Sequence, residues 1–525
     1  MKKSLVVAPQ AEPAQIALNV LKRGGNAFDA AIAGALGQGV VDPHRSGLGG
    51  FGAAMMISAK DNKAYCVNFF GRVGSKATPD MWKNIHEGPA PDGFGYILST
   101  KENDVGYKSI TIPSSVKGFG DIHKRFGKLP WKELFSEPAE LAKRGFIVDP
   151  GMANFWRRPG LFGRVSTCDR LGFTQSGREI WLPNGEPFNA GDEPKQYDLA
   201  NTYLRLAEAG PDDFYHGDLA QEIIKDFKLN GALVTEKDIR NYQCDWHDPI
   251  KGRFMGYDIL STPLPGGGLA LLQSLRMAEL FDVLSKPLNS AEYVNDLSKI
   301  FSAIQYDRMN CQSDPSFSDP DIDKLMSDEY LISLFNGFNP KSSLDPKDTT
   351  VIAVADKEGN AIVLCHSLGY GSGVYTKGLG FMYNNAMSGF DPEPNTANSI
   401  APGKARSTAI AQTLILKDGK PRLILGSPGG SHITAGITQA IMNHLNYKLE
   451  IQDAVCRPRF DAYKDNILFE SRMPYTLEDE LKGWNINRSP RPFGMVGRIY
   501  AIAFTDDGLK PGYDPGEAAT ALEIY

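Results

Sequence analysis

The chain has 525 residues, of which 42% are hydrophobic and 22% are charged, and its formal net charge is −6. This balance is typical of a globular protein with one or two large cores. The acidic charge, without a Lys/Arg-rich patch, argues against nucleic-acid binding, and no apolar run approaches the roughly 20 residues of a membrane span.

The amino terminus, Met1 to Pro9, starts with basic residues, but its apolar stretch is far too short for a signal peptide. We therefore expect a cytoplasmic protein, or a periplasmic or secreted one if a leader has been removed. The six cysteines form no CxxC pair, and the eight histidines show no HExxH or HxxxH spacing. Neither a metal site nor a disulfide framework is indicated, and we interpret His44 and His366 as structural.

The first predicted elements are two helices and a strand. Residues 13–23 predict a helix, and Asn26 is the predicted N-cap of a second, very apolar helix that ends near Val41. Residues 47–52 match GxGxxG by letters and precede a strand-like segment, 53–58. A dinucleotide fingerprint needs a strand before the glycines and a helix after them. The opposite order here excludes a Rossmann interpretation.

The middle of the chain is predicted to be mainly helical. Residues 115–126 and 130–144 predict helices that end near a glycine, and residues 198–300 alternate amphipathic helices with short strands. A further helix is expected at 269–281. Residues 312–347 are polar and rich in Asp, Ser and Pro, so we interpret them as a mobile surface segment.

Two apolar hairpins dominate the last third of the chain. Their predicted strands are residues 351–355 with 361–365, and residues 413–416 with 422–425. Each hairpin is followed by a glycine-rich loop, and a helix from about Thr434 and a strand at 498–504 are also expected. Strands flanked by helices on both outer faces fit a layered protein.

The tripeptide Asp348-Thr349-Thr350 precedes the first of these strands. If the bond before Thr349 were cut, that residue would carry both a nucleophilic hydroxyl and a free α-amino group with a pKa of about 7.7–8.0. The amine could then take the hydroxyl proton, which is the N-terminal Thr form of covalent catalysis. Taken alone, such a tripeptide is common, and a Thr that merely opens a strand is the alternative.

The chain resembles the gamma-glutamyltranspeptidase family of N-terminal-nucleophile hydrolases in a series of motifs along its length. These motifs are residues 24–31, 47–50, 214–215, 230–231, 348–350, 356–360 and 426–430. The resemblance implies an α+β fold, a four-layer αββα sandwich, made as a zymogen that cuts itself before the catalytic Thr. Its parts, 1–348 as the large subunit and 349–525 as the small one, would stay together as one intertwined heterodimer. It implies no cofactor and no metal, and further oligomerisation is left open.

The same resemblance assigns the catalytic residues. Thr349 matches the nucleophile, its new amine would be the base, and cleavage would fall between Asp348 and Thr349. Gly429 and Gly430 match the pair of backbone N–H groups that stabilise the oxyanion, a strong catalytic device. Ser367 falls where the family has a hydroxyl residue that assists self-cleavage and orients the nucleophile.

The substrate clamp of the family is largely missing. In true glutamyl transferases an Arg holds the substrate carboxylate, and here that position is Pro79. An acidic residue and a Gln hold the substrate ammonium, and here Ala386 and Gly389 stand in their places. Gly369 replaces an Asn, while Ser407 and Thr408 match the paired serines that also hold the carboxylate.

We therefore expect an amidohydrolase that cleaves a C–N amide bond of a small-molecule amide or acyl substrate, transfers the acyl group to water or an amine, and does not prefer γ-glutamyl substrates. Arg72 or Arg45 could contact a substrate carboxylate from a new direction, although Arg72 could equally be a surface or structural arginine, and for Arg45 that alternative is favoured. One rival is a genuine γ-glutamyltransferase or glutathione hydrolase with a rearranged clamp. The other is an uncleaved, catalytically silent ligand-binding homologue, against which the retention of Thr349 and Ser367 argues.

Overall fold

The computed structural model describes residues 3–90, 95–337, 349–516 and 519–525. Within these ranges the strands are β1 Ser4–Ala8, β2 Phe51–Ser58, β3 Lys63–Phe69, β4 His86–Pro89, β5 Tyr96–Leu98, β6 Asp245–His247, β7 Ile250–Phe254, β8 Tyr257–Ser261, β9 Thr350–Ala355, β10 Ala361–Ser367, β11 Thr413–Lys417, β12 Lys420–Gly426, β13 Phe460–Tyr463, β14 Asn466–Phe469, β15 Asn485–Arg488, β16 Tyr500–Thr505, β17 Gly508–Tyr513 and β18 Thr520–Ile524.

The α-helices of the same ranges are α1 Ala11–Lys22, α2 Ala27–Val41, α3 Ser115–Phe126, α4 Ser136–Arg144, α5 Pro150–Trp156, α6 Thr167–Leu171, α7 Gln175–Trp181, α8 Tyr197–Ala209, α9 Asp218–Leu229, α10 Glu236–Asn241, α11 Gly268–Leu280, α12 Ala291–Cys311, α13 Ile322–Met326, α14 Asp328–Asn336, α15 Ile433–Leu445, α16 Ile451–Cys456 and α17 Leu477–Glu480. Among the described residues, no helix combines the length and the apolar character needed to cross a membrane.

Two large sheets form the centre of the molecule. In the described part of the chain, the first has the strand order β18-β1-β9-β10-β2-β3-β6, and the second has the order β17-β16-β12-β11-β8-β7. Strands β9, β12 and β16 make contacts between the sheets. Helices α1, α2 and α3 pack on the outer face of the first sheet, and α11 and α16 pack against the second. The predicted four-layer αββα sandwich is therefore confirmed.

The hairpin that follows Thr349 is buried on both of its faces. On β9, Val351 and Ala353 face the core between the sheets, whereas Ile352 and Val354 face the core under the helices. Since successive side chains of a strand point to opposite faces, a strand between two cores reads as a continuous apolar run. This explains why the sequence of β9 and β10 predicts these strands so clearly.

Several predicted elements are confirmed, and two differ from expectation. Asn26 caps α2, because its Oδ1 accepts hydrogen bonds from the amides of Phe28 and Asp29, both at 3.0 Å. The helix expected at 130–144 is broken into a short 3-10 turn, Trp131–Leu134, and α4. The polar segment at 312–347, which the sequence predicts to lack structure, contains α13 and α14; its last part, 338–347, lies outside the described residues.

Candidate active site

Thr349 lies directly before β9 and is only 8% exposed. Its Oγ1 is 3.2 Å from Oγ of Ser367, the last residue of β10. The two hydroxyls meet because β9 and β10 pair antiparallel with Thr350 opposite His366. The Ser367 hydroxyl also accepts a hydrogen bond from the Gly369 amide at 3.0 Å. The hairpin therefore holds two predicted catalytic hydroxyls at hydrogen-bond distance. The predicted cleavage-site residue Asp348 lies outside the described residues.

A buried polar network lies behind this pair. The Gln38 side chain donates to Thr350 Oγ1 at 3.0 Å and to the Val351 carbonyl at 3.2 Å, and its Oε1 lies 3.0 Å from His366 Nε2. Since Oε1 can only accept, Nε2 carries the proton. Burial lowers the pKa of His366 to about 3, so the ring is neutral at physiological pH. The Thr350 hydroxyl is therefore bound by Gln38, whereas the hydroxyl of the neighbouring Thr349 contacts Ser367.

The predicted oxyanion glycines lie in the loop between β12 and α15. Their φ angles are +139° for Gly429 and +56° for Gly430, and among the described residues neither amide donates to a backbone carbonyl. Consecutive amides in such a turn can face one anion. The N-terminus of α15 follows after the short 3-10 turn Gly430–His432, and a helix N-terminus favours negative charge. The backbone can therefore stabilise a negatively charged oxygen at this point.

A small cavity of about 30 Å³ joins these elements. Thr349, Ser367, Gly369, Thr408 and Gly430, all named from the sequence, line it together. The other lining residues are Phe51, Arg308, Arg406, Ala409, Ile410, Ser431 and Ile433. Ser407 is not among the lining residues; its amide donates to Asn398 Oδ1 at 3.0 Å. Gly429 is one residue outside the lining.

Two arginines in this cavity are not anticipated by the sequence analysis. Arg308 is on α12, and Arg406 lies in the segment before Thr408, 6% exposed and with its guanidinium 5.1 Å from the centre of the Phe51 ring. Burial, followed by the positive charges of Arg308 and Arg164, lowers the pKa of Arg406 to about 9. Burial likewise lowers the pKa of Arg308 to about 10, against the opposing effects of Tyr463 and Asp461. Both groups remain charged at neutral pH.

The two arginines proposed from the sequence as carboxylate contacts lie elsewhere. Arg72 Nη2 is 2.6 Å from Asp245, and its Nη1 is 3.3 Å from Asp314 and 2.9 Å from the Gly403 carbonyl. These two carboxylates outweigh the effect of burial and raise the pKa of Arg72. The environment of Arg72 is that of a structural ion pair, and Arg72 is absent from the lining of the Thr349 cavity.

Arg45 is separated from the Thr349 cavity in the same way. Its guanidinium lies 3.3 Å from Asp42 and 5.4 Å from the centre of the Phe155 ring. These residues line a different cavity, of about 520 Å³. The backbone carbonyl of Arg45 accepts a hydrogen bond from the Leu368 amide at 2.8 Å, directly after Ser367. His44, expected to be structural, contacts Asp42 and accepts from Trp156 Nε1 at 3.1 Å.

Ala386 and Gly389, which stand where the family has its ammonium-binding side chains, do not contribute to the cavity. Ala386 and Gly389 form a short 3-10 turn, Ala386–Gly389, beside the cavity, and neither lines it. A Cβ on Gly389 would collide with Arg406 Nη1 and lie 2.9 Å from Arg406 Cδ. Arg406 therefore fills the space into which a side chain at position 389 would project. Pro79 is exposed and is also absent from the lining.

The sequence analysis missed further supports of the site. Fully buried His432 follows the Gly429–Gly430 loop and places Nδ1 2.5 Å from Asp461 Oδ2. Arg459, also fully buried, donates to the carbonyls of Val496 and Gly497, next to Gly429. The partners in these contacts are far apart in sequence. Only His432 could have been noticed from the sequence, because it closely follows the Gly429-Gly430 motif.

Comparison with known proteins agrees with this geometry. The family model for gamma-glutamyltranspeptidase matches residues 13–524. The chain is 31% identical to the glutathione hydrolase proenzyme of Pseudomonas aeruginosa over 99% of its own length and 94% of that protein. It is 30% identical to the acylase ACY 1 proenzyme of Pseudomonas sp. strain V22, over 94% of this chain and 88% of that one.

A solved structure is similar over nearly the whole fold. The cephalosporin acylase from Bacillus halodurans superimposes with a TM-score of 0.87 and 25% identity, covering 99% of this chain and 96% of that one. The fold, the motif series and the full-length family match agree. The chain belongs to the gamma-glutamyltranspeptidase family and is an enzyme of the N-terminal-nucleophile type that acts on amide bonds.

Proposed function

We propose that this protein is a self-processing amidohydrolase whose nucleophile is Thr349. The observation that carries the proposal is the 3.2 Å contact between Thr349 Oγ1 and Ser367 Oγ in a cavity that Gly430 also lines. A nucleophile, a hydroxyl that orients it and a backbone donor for the oxyanion are the parts that acyl transfer needs. Relatives named as proenzymes support the self-cleavage step.

Self-cleavage converts the precursor into the active enzyme. Thr349 Oγ attacks the carbonyl carbon of residue 348, and the peptide C–N bond breaks as the acyl group moves to oxygen. Water then hydrolyses this ester, so that residue 348 gains a carboxylate and Thr349 gains a free α-amine. Ser367 is placed to exchange a proton with the attacking hydroxyl, since the two oxygens are at hydrogen-bond distance.

The amidase reaction uses the same atoms. The free amine of Thr349 takes the Oγ proton while Oγ attacks the amide carbonyl, and the oxyanion accepts hydrogen bonds from the Gly429 and Gly430 amides. Collapse breaks the C–N bond, and the leaving amine receives the proton. Water then adds to the acyl-enzyme ester, releasing a carboxylic acid and restoring the hydroxyl. Every step is a proton transfer or an acyl transfer between named groups.

The two products of self-cleavage, 1–348 and 349–525, would remain associated. Strands β1, β2, β3 and β6 come from the first part, whereas β9, β10 and β18 come from the second, and all seven share one sheet. In that sheet β9 pairs with β1, and β10 pairs with β2. Separation would break these ladders and expose both cores, so we infer a stable heterodimer.

We further propose that γ-glutamyl groups are not the preferred substrates. Among the described residues that line the Thr349 cavity there is no carboxylate, while two arginines are present. A γ-glutamyl group carries an α-carboxylate, which an arginine can hold, and also an α-ammonium, which needs a negative partner that these lining residues do not supply. The second candidate, a genuine γ-glutamyltransferase, is favoured by the similarity to a glutathione hydrolase proenzyme. A silent homologue would need neither the Thr349–Ser367 contact nor the oxyanion loop.

Intact mass under denaturing conditions tests the proposal, followed by kinetics on the purified protein. We expect fragments that correspond to 1–348 and 349–525 in the wild type and an uncleaved chain in Thr349→Ala. The cleaved enzyme should turn over simple amides more efficiently than a γ-glutamyl anilide, without stimulation by glycylglycine. A wild type that stays at 57.4 kDa and is inactive would refute the proposal. Efficient glutamyl transfer would establish the second candidate.

A further inference from the structure

Gln38 connects the helix behind the catalytic hairpin to the start of β9. It lies on α2, where every residue is buried, and is itself 0% exposed. Its Nε2 donates to Thr350 Oγ1 at 3.0 Å and to the Val351 carbonyl at 3.2 Å. These are the first two residues of the strand that follows the nucleophile. Gln38 is not among the described residues that line the Thr349 cavity, so it can influence the reaction only through the residues that it holds.

The packing of α2 on the hairpin brings Gln38 to the start of β9. A Cβ on Gly34 would collide with Ile352 Cδ1, so the helix lies directly on the strand at this point. Gln38 is one helical turn after Gly34, and Thr350 is the next residue before Ile352 on the same face of β9. One helical turn and two strand residues advance by similar distances, about 5.4 Å and about 6.6 Å. The contact between Gln38 and Thr350 therefore follows from the register of helix and strand.

The orientation of the Gln38 amide is fixed by its partners. The Val351 carbonyl can only accept a hydrogen bond, so the nitrogen of Gln38 and not its oxygen must face β9. The oxygen then accepts from His366 Nε2, which is 3.0 Å away on β10, opposite Thr350. One buried amide thus connects α2 with both strands of the catalytic hairpin.

Cleavage before Thr349 would make this connection more important. The new chain would begin at Thr349, which would then be linked covalently only to Thr350. The first residues of a chain are poorly ordered unless other contacts hold them. The ladder between β9 and β10 begins at Thr350 and does not include Thr349. The contacts of Gln38 with the next two residues would therefore help to fix the new amine and the hydroxyl of Thr349.

Resting on the proposed function, we infer that Gln38 is a positioning residue for the reactive threonine. It acts through Thr350 and Val351, which set the direction from which Thr349 Oγ1 meets Ser367 and the attacked carbonyl. It touches neither the substrate nor the reacting atoms. Because a misplacement of about 1 Å can cost about 100-fold in rate, loss of this anchor should lower kcat and leave KM nearly unchanged.

Kinetics on the cleaved enzyme test the inference. Gln38→Met keeps an unbranched side chain of similar length and removes the amide. With p-nitroacetanilide as the substrate, we expect kcat to fall at least tenfold and KM to stay within threefold of the wild type. A kcat equal to that of the wild type would overturn the inference.

Gln196→Met is the matched control. Gln196 is 2% exposed, and its Nε2 donates to the carbonyl of Val40, also on α2, at 2.8 Å. This variant removes a buried hydrogen bond to the same helix without touching the hairpin, so kcat should stay within twofold of the wild type. Equal losses of kcat in Gln38→Met and Gln196→Met would mean that any loosening of α2 slows the reaction, which contradicts a specific role for Gln38.

A further variant tests whether the effect passes through Thr350. Thr350→Val keeps the branched shape and removes the hydroxyl that Gln38 holds, and we expect kcat to fall at least threefold. The double variant with Gln38→Met should lose less than the product of the two single losses, because both changes remove the same contact. Losses that multiply would show that Gln38 does not act through Thr350. If Gln38→Met does not fold, an unchanged kcat in Thr350→Val overturns the inference by itself.

Hydrogen exchange separates the inference from the proposed function, because it needs no turnover. Mass spectrometry of peptides that cover residues 350–355 reports how often the start of β9 opens. Exchange there should be at least tenfold faster in Gln38→Met than in the wild type, and unchanged in Gln196→Met.

The two proposals can then fail separately. If the wild type is neither cleaved nor active, the proposed function fails, while faster exchange in Gln38→Met still supports the anchor and unchanged exchange overturns it. If the wild type is cleaved and active, and Gln38→Met equals it in kcat and in exchange, the proposed function stands and the role of Gln38 fails.

Discussion

Thr349 Oγ1 lies 3.2 Å from Ser367 Oγ, and Ser367 is itself fixed by the Gly369 amide at 3.0 Å. The contact joins two residues at the open end of one hairpin, where β9 begins and β10 ends. The hairpin is buried on both faces, so the distance between these two hydroxyls is set by a rigid element. Such a position favours precise orientation of a nucleophile.

Removing the Ser367 hydroxyl should slow self-cleavage. Ser367→Ala deletes a partner of the attacking oxygen, and we expect the rate of cleavage to fall about 10- to 100-fold, the contribution of one hydrogen bond to a group that develops charge. The time course of the intact chain, followed by mass spectrometry, measures this rate. Ser367→Thr keeps a hydroxyl and should recover most of it. Wild-type speed in Ser367→Ala would exclude a role for this contact.

A side chain on Gly429, the first of the two glycines proposed to bind the oxyanion, should disturb the loop. At Gly429 φ is +139°, and an added Cβ would lie 3.0 Å from Gly497 Cα. We expect Gly429→Ala to cost about 1–3 kcal/mol of strain and to lower kcat by about 100-fold as the donors move. Gly483→Ala is the matched control, since Gly483 has φ of +98° and an added Cβ there would meet no atom within 4 Å. It should lose stability without loss of kcat.

The ion pairs of Arg72 should contribute to stability. Arg72→Gln leaves the nearly buried Asp314 carboxylate with a weaker partner, and we expect a loss of about 2 kcal/mol in the free energy of unfolding. Chemical denaturation measures it, and a double-mutant cycle with Asp314→Asn should show coupling between the two side chains. Arg253→Gln removes an exposed ion pair and should change stability by less than about 0.5 kcal/mol.

Burial of His366 should make stability depend on pH. Its pKa is about 3 in the folded chain, against 6.5 for the free side chain. Between these values the unfolded chain binds a proton and the folded one does not, so stability falls as pH drops below about 6.5. From pH 7 to pH 5 the group should cost about 2 kcal/mol. His366→Gln should lose this part of the pH dependence, whereas a substitution of exposed His247 to Gln should keep it. Parallel pH profiles for wild type and His366→Gln would contradict the prediction.

Secondary-structure elements can be predicted from short sequence patterns when the residues that determine them are close together in the sequence. The apolar runs of β9 and β10 are clear because both faces of these strands are covered. Asn26 is recognisable as a cap because its partners are two and three residues away. The helix expected at 130–144 is wrong in part, since periodicity alone does not show the break at Phe135, where the 3-10 turn meets α4.

The nucleophile, its serine partner and the glycine pair can be proposed from the sequence, because each lies in a short motif and the motifs keep their order. The family and the two strands of the hairpin that follows Thr349 can also be predicted from the sequence. The roles of the arginines cannot be proposed in this way. Arg72 meets Asp245 and Asp314, which are 173 and 242 residues away, and Arg308 and Arg406 reach one cavity from α12 and from a separate loop. The charges that surround Thr349 are set by the folded chain, because electrostatic neighbours depend on distance in space and not on distance along the sequence.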